Sequence, residues 1–183
     1  MIEAELTDTA AFMAIHATDV ARNSPDHGPR HWRDVARVGL VIAERVGLTP
    51  EQRGAVFVFA CTHDTQRLNE FVDPEHGARA SGLFLTLLEH GGCPEWLKAF
   101  DTDLDYALMF HDRGQMEHDH EFIGSCWDAD RLTIGRVGIT PDVRYMSTRN
   151  VREDFQIFLS MAEDIRHGED QTWDEIAASY CAV

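Results

Sequence analysis

The apolar run Ala55–Val56–Phe57–Val58–Phe59–Ala60–Cys61 ends abruptly in Thr62–His63–Asp64, and that ending constrains the fold more than any other stretch. A core segment normally stops in neutral capping residues. Here an imidazole and a carboxylate follow directly, where desolvating a charge is costly unless something compensates it. A divalent cation would do so. Adjacent helical residues diverge by about 100°, so His63 and Asp64 can approach one ion from two directions, and a carboxylate can bridge two ions. Taken alone, the doublet reads more readily as a capping histidine beside an exposed aspartate, so the rest of the chain has to decide.

With 183 residues the chain is of single-domain size and can bury a substantial core. Its 16 basic residues stand against 32 acidic ones, a formal net charge of −16, and Lys98 is the only lysine. Nucleic acid and anionic membranes are therefore not expected as partners. Cys61, Cys93, Cys126 and Cys181 are scattered, without paired metal-type spacing. The start Met1–Ile2–Glu3–Ala4–Glu5 lacks the basic and apolar regions of a secretion signal. A cytoplasmic protein with free thiols is expected, and no apolar segment approaches the length of a membrane span.

The periodicity predicts helices throughout. A first helix is expected over residues 8–22 with Phe12, Ile15 and Val20 inward, ended by Asn23–Ser24–Pro25; His16 reads as structural. A second runs from about Arg30 to Val46, closed by Gly47, its inner stripe reading His31, Val35, Val38 and Ile42. Thr49–Pro50–Glu51–Gln52 has the form of a capping box with proline in the first helical position, and it opens the helix carrying Val56, Ala60, His63 and Asp64. The next helix points Ala80, Leu83 and Leu87 inward, with His76 one turn earlier, and stops at Gly91–Gly92. After a turn near Pro94–Trp96, residues 101–112 align Leu104, Leu108 and His111. Gly114 to His120 reads as a loop, and residues 121–132 align Ile123, Trp127 and Asp130. From Gly135 to Thr148 the signals are weak. Asn150 is expected to cap a helix through Phe155, Phe158, Leu159 and Ala162, and Thr172 with Glu175 to cap a last one. No run alternates well enough for a strand, so one all-α domain is expected over residues 1–183, with C-terminal helices at about 150–180.

His31, His63, His76, His111 and Asp130 thus each extend an apolar stripe on a different helix, and Asp64 accompanies His63. One inward histidine is commonly a hydrogen-bonded core residue. Five helices each sending a ligand-type side chain inward would bury a cluster of poorly compensated polar groups, and metal coordination resolves that cost in the manner of bundle-core metal sites. The remaining histidines fit less well. His90 precedes two glycines at a helix C-terminus, His118 and His120 lie in a charged loop, His167 lies near Gly168, and His27 comes before its helical pattern begins.

The order His31, His63–Asp64, His76, His111, Asp130 resembles the H…HD…H…H…D pattern of the HD-domain superfamily of metal-dependent phosphohydrolases. His27–Gly28–Pro29–Arg30–His31–Trp32, Asp73–Pro74–Glu75–His76–Gly77 with Arg79–Ala80–Ser81, and Asp128–Ala129–Asp130–Arg131–Leu132 resemble the contexts of that pattern. The resemblance covers residues 27 to about 135, with Asp128 the fallback for Asp130.

It implies an HD-type helical bundle in which His31, His63, Asp64 and Asp130 hold one divalent metal. His76 and His111 would then hold a second one bridged by Asp64, or bind substrate phosphate. Histidine–carboxylate ligation suits Mn, Fe, Co, Ni or Zn better than Ca or Mg. The expected activity is hydrolysis of a phosphate ester of a small metabolite, a nucleotide among the candidates, by metal-activated water. Asp64 would sit at the chemistry, with Arg67 reaching the phosphate; Arg67, Arg79 and Arg131 read equally well as salt-bridged surface residues. No nucleophile motif or glycine-rich phosphate loop competes with this. Two alternatives share the pattern: an HD-type mixed-valent di-iron oxygenase, and a non-catalytic regulatory module.

Overall fold

The computed structural model describes residues 2–117 and 119–181; His118 and the side chain of Cys181 lie outside them. Ten α-helices follow one another: α1 (Ile2–His16), α2 (Asp19–Asn23), α3 (Pro29–Val46), α4 (Pro50–Thr62), α5 (His76–Glu89), α6 (Asp101–Phe110), α7 (Glu121–Leu132), α8 (Arg149–Glu153), α9 (Phe155–His167) and α10 (Trp173–Cys181). Short 3-10 turns occupy Glu95–Phe100, Ile134–Val137 and Val143–Tyr145. The described residues contain no strand, so the fold is all-α, and none of their helices is long and apolar enough to cross a membrane.

Helix α4 is the central rod. Every residue from Arg53 to Thr62 is buried, and the helix packs against α1, α3, α6, α7 and α10. A helix apolar on all sides belongs inside a fold, which accounts for the unbroken run in the sequence. Its start is fixed locally. The Thr49 hydroxyl accepts the Gln52 N–H while the Gln52 side chain accepts the Thr49 N–H, the expected capping box, with Pro50 just inside the helix.

Helix α3 lies against α4. Pro29 takes its first position, where a missing N–H is harmless, and His31, Val35, Val38 and Ile42 are all buried. Gly47 ends it at φ 81°, returning its N–H to the Ala43 and Glu44 carbonyls, a left-handed turn that a side chain would oppose. On another face of α3, Arg30 donates to the carbonyls of Arg166 and Gly168, Arg37 to those of Ile165 and Glu169, and Arg33 pairs with Asp170. These cations complement the negative C-terminal end of α9 and fasten the last third of the chain to the bundle.

Two expected helices differ in outline. The first begins at Ile2 and breaks after His16, and its buried face is Leu6, Ala10 and Met13, leaving Ile15 exposed. Thr18 causes the break. Its hydroxyl caps α2 by accepting the Ala21 N–H and donates to the Arg67 carbonyl, while its own N–H reaches the Thr65 carbonyl at 2.9 Å. Near the other end, Thr148 and not Asn150 is the cap, and the chain interrupts at Asp154 between α8 and α9. Thr172 and Glu175 cap α10 reciprocally, as the sequence suggests. Cys61, Cys93 and Cys126 are buried free thiols.

Thr148 is also where the irregular segment after α7 is anchored. The fully buried Asp128 accepts the N–H of Ser147 at 2.6 Å and the N–H and hydroxyl of Thr148 at 2.8 Å each. Asp128→Ala would leave two buried amides without an acceptor. We expect a loss of about 3 kcal/mol, read as a melting temperature lower by roughly 6–12 °C; a shift below about 2 °C would show that other contacts hold the segment.

Candidate metal centre

Helix ends build the site. His31 stands in the first turn of α3, His63 caps the C-terminus of α4 and Asp64 follows it, His76 opens α5, His111 caps the end of α6, and Asp130 lies in the last turn of α7. The structure brings all six together as two groups, His31–His63–Asp130 and Asp64–His76–His111, within each of which the ligand atoms lie within 4.8 Å of one another. Asp64 faces both. Its Oδ2 is 3.6 Å from His31 Nε2 and 3.5 Å from His63 Nε2, whereas its Oδ1 is 3.1 Å from His76 Nε2 and 3.8 Å from His111 Nε2.

Three of the imidazoles are oriented by backbone carbonyls three residues before them. Nδ1 of His63 bonds to the Ala60 carbonyl at 2.9 Å, that of His76 to the Asp73 carbonyl at 2.5 Å and that of His111 to the Leu108 carbonyl at 2.8 Å. A carbonyl accepts only from N–H, so each ring carries its proton on Nδ1 and presents the Nε2 lone pair to the cluster, the arrangement of a metal-binding histidine. His76 Nε2 and His111 Nε2 are 2.9 Å apart. With both N–H groups engaged elsewhere, two lone pairs face one another, and a shared cation turns that repulsion into attraction. Asp130 Oδ1 tells the same story: it is buried without a hydrogen-bond donor, 3.2 Å from His31 Nε2 and 3.8 Å from His63 Nε2. Asp128, the fallback, spends its carboxylate on Ser147 and Thr148. These buried groups could hold a metal ion.

The electrostatics suit that role. Burial, reinforced by Arg136, lowers the His31 pKa to about 3, and burial lowers that of His63 to about 4 despite Asp64 and Asp130; both rings stay neutral, as ligation requires. Burial opposes the charge on Asp64, but the imidazoles packed around it, His63 first and then His111, His27 and His76, outweigh it and hold the carboxyl well below its usual range. Asp130 is likewise held ionised against burial, by the adjacent His31 and by Arg136.

Two further residues join the cluster without a sequence signal. His27, which precedes α3 and hence its periodicity, places Nδ1 3.2 Å from Asp64 Oδ2; its loop is set by Ser24, which accepts the His27 N–H, and by the Trp32 indole, which donates to the His27 carbonyl. Arg136 lies in the 3-10 turn after α7. Its Nε donates to the Asp26 carbonyl at 2.6 Å, and Nη2 is 3.3 Å from His27 Nδ1, 3.7 Å from Asp130 Oδ1 and 3.8 Å from Asp64 Oδ2. An arginine in a stretch without helical pattern has no spacing to betray it.

Of the arginines singled out in the sequence, Arg67 reaches the site, with Nη1 3.4 Å from both Asp64 Oδ1 and His76 Nε2. Arg79 is engaged by Asp73 and the Gln66 carbonyl. Arg131 donates to the Tyr145 and Gln115 carbonyls and lies over the Trp127 ring. The other histidines stay apart: His16, His90 and His167 are exposed, and His120 caps α7. Asp64, His76, His111 and Asp130, with His27, Arg67 and Arg136, line the floor of a cavity of about 450 Å³ whose other wall is the 134–146 segment; His31 and His63 lie beneath it.

Comparison of the chain with protein-family models, with curated proteins and with solved structures gives no match.

We expect two metal ions per fully loaded chain, and His76→Ala and His111→Ala each to remove one; unchanged metal content in both variants would reassign those histidines away from a metal. A subtler test lies next door. A Cβ on Gly77 would come within 2.6 Å of the Leu108 carbonyl oxygen, 3.0 Å of that of Met109 and 3.3 Å of His111 Nδ1. Because backbone cannot yield as a side chain can, Gly77→Ala should push α5 from α6 and weaken binding of the Asp64–His76–His111 ion at least tenfold in a metal titration, sparing the other; equal loss or no loss would refute this.

Proposed function

We propose that the protein is a metal-dependent phosphohydrolase of the HD type, cleaving a phosphate ester of a small metabolite with activated water. The observation that carries this reading is the division of Asp64 between two imidazole pairs, one carboxylate oxygen toward each, on the floor of a cavity that also holds Arg67 and Arg136. The all-α fold and the order of the cluster residues along the chain agree with the resemblance to that superfamily. The donor set favours Mn, Fe, Co, Ni or Zn.

Divalent ions held there would supply charge neutralisation and a water acidic enough to react near neutral pH. In the hydrolysis a water oxygen–phosphorus bond forms while the phosphorus–oxygen bond to the alcohol breaks, giving inorganic phosphate and an alcohol that takes one of the water's protons. The chain's residues divide the remaining work. Asp64 and Asp130 contribute the negative charge that retains the cations, and His31, His63, His76 and His111 complete the donor set. Arg67 stands beside Asp64 and Arg136 beside both Asp64 and Asp130, where their guanidinium groups can swing onto phosphate oxygens and stabilise charge developing on them. The strongly acidic surface favours a compact substrate over a nucleic-acid polymer.

Metal analysis combined with a panel of phosphomonoesters and phosphodiesters tests the reading; oxygen consumption by an iron-loaded protein without phosphate release would favour the oxygenase alternative. Asp64→Asn removes charge and bridging capacity together, so turnover should fall by orders of magnitude. It should also lose the metal-dependent part of its thermal stability, because a ligand bound only by the folded state stabilises that state. Arg67→Ala should keep its metals and chiefly raise KM, by roughly tenfold to a hundredfold for one lost charge-assisted contact of about 1.5–3 kcal/mol. An Asp64→Asn protein with full metal content and normal turnover would refute the mechanism.

A further inference from the structure

We propose, building on the phosphohydrolase reading, that the substrate is a monophosphate of an apolar alcohol, aliphatic or aromatic, with the alcohol part seated against the 134–146 segment. The cavity has two unlike poles. One is the charged floor described above. The other is lined by Ile134, Val137, Ile139, Pro141, Tyr145 and Met146, and three of these large apolar side chains stand open to solvent: Ile139 at 54 %, Tyr145 at 50 % and Val137 at 36 % relative exposure. Single exposed apolar residues are ordinary, but several converging on the mouth of a cavity mark a surface that a ligand covers.

The charges limit the other end of the molecule. Arg67, Arg131 and Arg136 are the cations among the described residues lining the cavity, and Arg131 has its guanidinium committed to the Tyr145 and Gln115 carbonyls. Arg67 and Arg136 also donate to carbonyls, those of Phe71 and Asp26, but unlike Arg131 each keeps a guanidinium nitrogen turned to Asp64, which marks one place for one phosphate. The lining also carries Asp142 and Asp112, whose Oδ2 is 3.7 Å from His76 Nδ1. Arg144, next to that wall, is held in a bidentate ion pair by Asp142. A second phosphate would meet carboxylates and no free cation, which disfavours nucleoside diphosphates, triphosphates and other polyanions. Sugar hydroxyls and base edges would lie against aliphatic side chains and lose hydrogen bonds to water without replacement.

Non-hydrolysable phosphonates separate this inference from the catalytic reading. Calorimetric titration of metal-loaded wild-type protein with methyl-, butyl- and hexylphosphonate should show affinity rising about threefold to fourfold for each added methylene, while nucleoside and sugar phosphonates bind more weakly than hexylphosphonate. Ile139→Ser and Tyr145→Ser, checked for retained metal, should flatten that slope. A flat wild-type series, or tighter binding of the nucleoside or sugar phosphonate than of hexylphosphonate, overturns the proposal whether or not the variants fold. A steep slope without hydrolysis of hexyl phosphate leaves the apolar wall standing and overturns the hydrolase reading. Hydrolysis of sugar or nucleoside phosphates with a flat slope does the reverse.

Discussion

The constraint on which this fold depends is the desolvation of two carboxylates and four imidazoles at one point in its interior. Burying even one unpaired charge is expensive, and the chain gathers four ligand-type imidazoles around Asp64 and Asp130. It does so at helix termini, where backbone carbonyls have no partner within their own helix. Two such carbonyls, those of Ala60 and Leu108, accept from Nδ1 of His63 and His111, so the same contact completes the helix end and aims Nε2 inward; the Asp73 carbonyl, in the loop before α5, aims His76 in the same way. Helix geometry and ligand geometry are thereby one problem with one solution.

That coupling explains which parts of the site were legible in the sequence. A residue delivered by a helix extends the helix's apolar stripe, and so His31, His63, His76, His111 and Asp130 could be read from spacing, with Asp64 carried along by His63. The choice between Asp128 and Asp130 needed coordinates, because α7 is buried almost all round, so its period singles out no one face, and only contacts reveal that Asp128 holds Ser147 and Thr148. His27 and Arg136 were illegible for a different reason. Their positions are set by loop contacts with Ser24, Trp32 and Asp26, and such contacts leave no period in the chain.

Helix boundaries followed the same division. The stops that rest on one residue's chemistry, Gly47 and the Thr49–Gln52 box, were readable because glycine and threonine act there through local backbone geometry. The break at Thr18 was not, since threonine is tolerated inside helices and is drawn out of this one by partners far along the chain, the carbonyls of Thr65 and Arg67. The N-terminal segment is in this way tied to the loop directly behind Asp64, and the position of that loop depends on residues that never approach the cluster.

The floor and the far wall of the cavity belong to structurally different material. The floor is made by the ends of packed helices and anchored to α4, whose residues from Arg53 to Thr62 are all buried. The wall is a short irregular segment whose side chains largely face open space. Substitutions in the first disturb packing on several sides at once, whereas many in the second disturb nothing but what the cavity admits. A fold partitioned like this can change what its cavity admits by small steps while the buried cluster stays intact, which makes the 137–145 stretch the natural place to redirect binding by selection or by design.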